Sequence, residues 1–302
     1  MDLKSKIILI YGPTASGKSQ FAVKLAKKIN GEIINADSMQ VYKELKILSA
    51  RPFKKDQQKI SHHLYGFQNV KNNFSTGDWL KLVNKKIFII KKRKKIPILV
   101  GGTGLYFKAL TDGLVDIPNI PNKLRERIRS LHKKLGAKKF FLELKKIDPL
   151  IKNQINFSDT QRSIRAYEVK LYTKRSIYDW FENTKSNYQQ KDFYKICIDF
   201  PKNELLLRIN LRTLDMIKKG AILEVRKFNK IKVRKDKTAT KAIGINEVNE
   251  YLQKKIEIKE LIEKISIKTR QYAKRQRTWA SGNMQNWIKL TPKDLTKVLK
   301  KI

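Results

Sequence analysis

Three short blocks of apolar residues punctuate the first third of the chain: Lys6–Tyr11, Glu32–Ala36 and Ile96–Val100. Blocks of this length, bounded by polar loops, predict strands buried on both faces, as in a parallel sheet. Between them the apolar spacing changes to three and four. Phe21, Leu25, Ala26 and Ile29 share one face after the first block, with Gly31 expected as the helix C-cap, and Trp79, Val83, Ile87 and Ile90 share another in a helix opening near Asp78. Strands alternating with helices predict an α/β fold with a doubly wound parallel sheet. Ligands of such sheets bind beyond the carboxyl ends of the strands.

Past Gly113 the pattern changes. Pro118 and Pro121 mark a break, and Asn122 to about Tyr188 is charged, helical in period and poor in strand blocks. A strand-like block returns at Tyr194–Phe200. Residues 114–193 therefore read as a helical insertion into a core formed by 1–113 and 194–302. Two long helices are expected in the remainder, from about Asn203 to Lys219 with Gly220 as cap, and from about Lys259 to Ala280.

Lysine and arginine number 68 against 27 acidic residues, a formal net charge of +41 over 302 residues, which favours polyanionic partners. The single cysteine, Cys197 between two isoleucines, excludes an intrachain disulfide and a thiolate zinc site, and reads as a core thiol. His62, His63 and His132 lack metal-ligand spacing. No apolar run is long enough to span a bilayer and the N-terminus enters a strand at once, so neither a membrane segment nor a signal peptide is expected, and the expected location is cytoplasmic.

The first strand runs directly into Gly12-Pro13-Thr14-Ala15-Ser16-Gly17-Lys18-Ser19, a complete G-x-x-x-x-G-K-[ST] phosphate loop with a helix after it. Its backbone amides, the helix N-terminus and Lys18 suit a di- or triphosphate, and Ser19 can offer a hydroxyl to Mg²⁺. The second strand runs into Asp37-Ser38-Met39-Gln40. Asp37 is placed to accept a proton or hold a metal-bound water, or else simply to cap the next turn. The third runs into Gly101-Gly102-Thr103-Gly104, whose glycines allow close backbone approach to a ligand. Arg208 and Arg212 sit four apart on the helix after Tyr194–Phe200, within reach of a phosphate pocket if that strand joins the sheet.

Two further basic constellations stand apart. Gln161-Arg162-Ser163-Ile164-Arg165 opens a helix, with its arginines three apart on one face. In Thr269–Trp279, the residues Arg270, Lys274 and Arg277 form a stripe opposite Leu261, Ile265, Tyr272 and Trp279. The apolar stripe reads as core rather than as a base-stacking platform. The cationic one suits a nucleic-acid backbone or an ordinary solvated face.

With these residues assembled, the chain resembles the tRNA dimethylallyltransferase family of bacterial type. The likeness rests on Gly12–Ser19, Asp37–Tyr42, His62-His63-Leu64, Pro97–Tyr106, Asp159–Ala166, Ala242-Ile243-Gly244 and Thr269–Trp279. It implies transfer of a dimethylallyl group from dimethylallyl diphosphate to the exocyclic amine of the adenine 3′ to the anticodon. The phosphate loop would hold the diphosphate with Mg²⁺ on Ser19, Asp37 would be the general base, and Lys18, Thr103 and Arg212 would complete the catalytic set. Asp37–Gln40 and Thr103 would hold the target nucleotide, while Arg125, Gln161–Arg165 and the Arg270/Lys274/Arg277 stripe would grip the tRNA anticodon stem-loop. No membrane partner is expected, and the enzyme is expected to act as a monomer. The chain departs from the family pattern at Leu48-Ser49-Ala50-Arg51-Pro52, where Gly-Thr-Ala-Lys-Pro is usual, and at Tyr65-Gly66, where an apolar–acidic pair is common. From the residues alone two other classes stay open: a P-loop kinase for a small molecule or nucleotide, and an RNA-binding module with a structural nucleotide.

Overall fold

Each apolar block of the first third becomes a strand, and each strand is followed by a loop rich in functional groups. The computed structural model describes residues 3, 5–57, 60–182 and 184–301. In chain order the elements are β1 (Ile7–Tyr11), α1 (Lys18–Ile29), β2 (Gly31–Asn35), β3 (His62–His63), α2 (Thr76–Lys92), β4 (Ile96–Gly101) and α3 (Gly104–Thr111). Next come α4 (Asn122–Ile147), α5 (Thr160–Thr173), α6 (Ile177–Glu182), β5 (Phe193–Ile198), α7 (Lys202–Lys218), α8 (Ala221–Lys230), α9 (Ile245–Leu252), α10 (Ile258–Asn283), β6 (Ile288–Leu290) and α11 (Pro292–Lys301). The six strands form one sheet in the order β3-β2-β4-β1-β5-β6, every pair parallel, as the α/β reading expected.

Helices cover both faces of the sheet. Phe21 and Leu25 of α1, Leu205 and Ile209 of α7 and Leu295 of α11 pack on one face, against Ile8, Ile10, Ile98 and Ile196. Trp79, Val83, Ile87 and Ile90 of α2 and Phe107 of α3 pack on the other, against Ile7, Leu9 and Leu99. Helix α10 belongs to both: Ala273 joins the first cluster, whereas Ala280 and, just past the helix end, Met284 join the second. A helix that changes face within two turns must pass over a sheet edge, and Tyr11, the last residue of β1, donates its hydroxyl to the Gln276 carbonyl at 2.9 Å. The edge crossed is the carboxyl one. A third cluster joins Val41, Tyr42, Leu45 and Leu48 to Val225, Val248, Leu261 and Ile265.

The chain divides into two compact units, residues 1–111 with 188–302, and residues 112–187. The second unit holds α4, α5 and α6 around Leu144, Ile151, Ala166 and Val169, and α4 is interrupted at Gly136, whose φ of 72° is non-helical. Residues 188–193 belong with the first unit, where the Tyr188 ring meets Phe193 edge-on at 5.7 Å. Among the described residues no helix is long and apolar enough to cross a membrane.

Local details differ from the sequence reading for identifiable reasons. Asn30, not Gly31, takes the left-handed cap of α1 at φ 53°, since asparagine tolerates that region. Gly31 opens β2 instead, where an added Cβ would crowd the Ile98 side chain. Helix α2 begins two residues before Asp78, which serves as the third residue of a capping box with Ser75. Strand β5 ends at Ile198, two residues short of Phe200.

Candidate active site

Four adjacent strands, β2-β4-β1-β5, deliver their carboxyl ends side by side. The loop Gly12–Gly17 leaves β1 and turns into α1 through Ala15 (φ 63°) and Gly17 (φ 81°). Lys18 folds back so that its Nζ donates to the Pro13 carbonyl at 3.1 Å. Because β5 pairs with β1, α7 places two arginines beside this loop. Arg212 Nη1 donates to Thr14 Oγ1 at 2.8 Å, and Arg208, stacked on Phe200, reaches within 3.4 Å of where a Gly17 Cβ would stand. Burial pulls the Lys18 ammonium down to about 8, with Asp37 opposing and Arg212 reinforcing the shift. Burial also lowers Arg212, and Asp37 again opposes it. Ser16 Oγ is buried in the loop without a hydrogen-bond partner among the described residues, and Ser19 is exposed on the first turn of α1.

Asp37 follows β2 and its main chain is held by one side chain. Asn35 Oδ1 accepts from the Asp37 N–H at 2.9 Å, and Asn35 Nδ2 donates to the Asp37 carbonyl at 2.9 Å and to the Leu64 carbonyl at 3.0 Å. Asp37 Oδ1 accepts from the Met39 amide at 2.9 Å, the turn-capping role weighed from sequence. Its second oxygen has no hydrogen-bond partner among the described residues, so it is available to a ligand. Thr103 knits the neighbouring loop to this one: its amide donates to the Ala36 carbonyl at 3.2 Å, and its hydroxyl accepts from the Ser38 amide at 2.9 Å. A Cβ on Gly101 would overlap Ala36, which is why the close approach needs glycine there. Burial raises the phenols of Tyr11, Tyr65, Tyr106 and Tyr272 above their ordinary range; the Asp37 charge is the next cause for Tyr65, Tyr106 and Tyr272, whereas at Tyr11 it follows Tyr272 and Cys197.

Helix α10 closes the site from above, and here the sequence reading needs correction. Trp279 packs on the second core cluster, as the apolar stripe predicted, but Tyr272 is not plain core. The Tyr272 hydroxyl bonds the Thr103 side chain, while Trp279 lies 6.0 Å from the Tyr11 ring and occupies the space a Gly104 side chain would need. Gln276, between them and only 4 % exposed, bonds both flanking loops. Sequence reasoning missed Tyr272 and Gln276 as site residues. The available signal was the crowding of polar residues along the buried side of Thr269–Trp279.

The remaining predicted residues lie elsewhere. Arg270, Lys274 and Arg277 border a groove of ≈ 520 Å³ between α7 and α10, with Lys202 on its rim and Leu206 and Ala273 in its floor. In the second unit Arg162 pairs with Asp159 at 3.3 Å and Arg165 with Glu168 at 3.4 Å. Gln161 is exposed, Ile164 is half-buried, and Ser163, grouped with them from sequence, is turned inward at 1 % exposure. Arg125 Nε is a buried donor without a hydrogen-bond partner among the described residues. Gln40 donates to the Ser49 carbonyl at 2.9 Å, and its own carbonyl accepts from Gly66 at 2.9 Å. The two departures from the family pattern meet in space: Arg51 bonds the carbonyls of Tyr42 and Lys43, and any side chain at position 66 would overlap its guanidinium. Arginine at 51 and glycine at 66 are thus one packing solution.

Comparison with known proteins agrees along the whole chain. The sequence profile of the IPP transferase family matches residues 40–283, a range that begins after the phosphate loop and Asp37. A tRNA dimethylallyltransferase of Pelagibacter ubique is 59% identical over 302 residues, spanning 100% of this chain and 96% of that protein. One from Rickettsia massiliae is 44% identical over 99% of this chain and 83% of its own length. Among solved structures, a tRNA isopentenylpyrophosphate transferase from Bacillus halodurans is similar at TM-score 0.69 and 31% identity, over 98% of this chain and 95% of that one. A eukaryotic dimethylallyltransferase acting on tRNA is similar at TM-score 0.83 and 29% identity, over 96% and 75%.

Proposed function

Since the chain belongs to the IPP transferase family, we propose that it transfers a dimethylallyl group from dimethylallyl diphosphate to the exocyclic amine of the tRNA adenine 3′ to the anticodon, releasing diphosphate. One observation carries the reading: Asp37, with one carboxylate oxygen free of hydrogen bonds among the described residues, lies close enough for its charge to act on Lys18 and Arg212, at the ends of adjacent strands. The amine nitrogen attacks the allylic carbon, and the C–N bond forms as the C–O bond to diphosphate breaks. The electron pair of that bond leaves with the diphosphate. Lys18, Arg212, the loop amides and the α1 N-terminus stabilise the charge that develops there. The proton shed by the amine goes to Asp37. Thr103, bonded to the Ser38 amide, keeps the two loops at a fixed spacing. The adenine enters unstacked, as chemistry on a base requires.

Among the described residues no group of three or more His, Cys, Asp or Glu side chains could hold a metal ion. The Ser19 hydroxyl, exposed on the first turn of α1 next to the phosphate loop, is the group that would hold Mg²⁺ beside a bound diphosphate. Mg²⁺ so bound would neutralise part of the leaving-group charge. Arg270, Lys274 and Arg277 line a groove suited to the tRNA backbone, and Arg125, Gln161, Arg162, Ile164 and Arg165 are the proposed contacts of the second unit.

The test is incubation with tRNA and labelled dimethylallyl diphosphate, beside a parallel reaction with ATP and hydroxyl acceptors. Label should enter tRNA only, and Asp37→Ala should slow transfer by about 10²–10⁴-fold, the usual worth of a general base, with tRNA affinity retained. Phosphoryl transfer from ATP without prenylation would overturn the reading.

A further inference from the structure

The phosphate loop and the Gly101–Gly104 loop carry opposite halves of the proposed reaction, leaving group and acceptor, and a single buried amide joins them. Gln276 Oε1 accepts from the Thr14 amide at 2.8 Å, and its Nε2 donates to the Gly102 carbonyl at 2.9 Å. The orientation is dictated by the partners, since a flipped amide would set oxygen against oxygen and N–H against N–H. Its main-chain carbonyl accepts from the Tyr11 hydroxyl at 2.9 Å, so the helix is anchored to the end of β1 at the same residue. Any Cβ at Gly102 would overlap Gln276 Nε2, so the glycine at 102 exists to admit this side chain. A further link, between the neighbouring strand ends, is longer: Gly12 N–H to the Gly101 carbonyl at 3.3 Å. On its far side Thr14 is held by Arg212, so the residue bordering the diphosphate site is fixed from two directions.

We propose that Gln276 is a positioning residue for prenyl transfer: by bonding Thr14 and Gly102 at once it sets the distance between the diphosphate and the Asp37–Thr103 side, and so the alignment of the amine with the allylic carbon. This rests on the function proposed above. Gln276 touches neither reacting atom and acts through the two loops. Each substrate keeps its own binding contacts when Gln276 is altered, because the loop amides, Lys18, Arg212 and the Asp37 loop remain. What is lost is the shared frame, and a misplacement of about 1 Å costs on the order of 10²-fold in rate.

The experiment compares wild type, Gln276→Met (similar length, no amide) and Gln276→Glu by steady-state kinetics with tRNA and dimethylallyl diphosphate. For both variants kcat should fall by about 100-fold, while each KM and the tRNA Kd move by less than about fivefold. Active-site titration under single-turnover conditions, which corrects for misfolded enzyme, should give a full active fraction reacting slowly. A second arm measures Gly102→Ala and Gln276→Ala, each alone and together. The two losses should not multiply, since both break one contact. An unchanged kcat, a change confined to the KM for dimethylallyl diphosphate, a reduced active fraction with normal turnover, or independent losses in the double variant would each overturn the inference. Absence of prenyl transfer by the wild type would instead sink the proposed function.

Discussion

Lys18 is a half-buried, desolvated cation whose proposed partner is the substrate diphosphate, and that makes the proposed reaction sensitive to alkali. In the free protein burial brings its ammonium to about 8, so below that pH it is charged and above it increasingly neutral. Binding of the diphosphate needs the charged form. The expected pH profile of kcat/KM for dimethylallyl diphosphate therefore falls as pH rises through about 8, since that ratio reports the free enzyme. Lys18→Ala should lower the rate and abolish that falling limb; a limb that persists would assign it to another group. At this scale the sequence was legible wherever the geometry of the site is local. Gly12–Ser19 and Asp37 each announce themselves within a few residues. Gln276 and Tyr272 do not, because the partners that give them meaning, Thr14, Gly102 and Thr103, lie far away along the chain.

Among the elements, helices with a single apolar face were read well, and α2 buries the four residues its period predicts. Those that serve two surfaces were not. Helix α10 places Leu261 and Ile265 in one cluster, Ala273 in a second and Ala280 in a third, so no single stripe describes it. The short strands β3 and β6 had no apolar block to betray them, being edge strands of two and three residues. Helix α8 makes a further connection invisible to periodicity. Its Glu224 carboxylate accepts from three consecutive amides, Lys46 and Ile47 at 2.8 Å and Leu48 at 2.9 Å, and so shapes the turn that leads to Arg51. Glu224→Gln turns a donor toward one of these amides and should destabilise the first unit by about 1–3 kcal/mol in urea titration. Hydrogen exchange at residues 46–48 should quicken as well; unaltered exchange would mean the turn holds itself.

At the level of the molecule, a parallel sheet with helices on both faces was readable from alternation, whereas the strand order was not, because pairing is fixed by packing of distant segments rather than by local pattern. A net charge of +41 also conceals which cations matter, since most of them are solvated. The α7–α10 groove narrows the choice. Replacing Arg270, Lys274 and Arg277 by alanine should weaken tRNA binding and reduce the magnitude of the slope of log K against log salt by about 2–3, roughly one counterion per lost phosphate contact. Filter binding between 50 and 200 mM salt, on the order of the range where such slopes are resolved, gives the answer, and parallel lines for variant and wild type would remove the groove from the interface. The passage of α10 over the carboxyl edge has a consequence in time. A nascent chain that has left the ribosome only as far as α9 already carries the phosphate loop, Asp37 and Thr103, yet it lacks the helix that spans them. Competence therefore arrives late in synthesis, and ribosome-tethered fragments stalled before Gln276 would hold the parts of a prenyltransferase without being one.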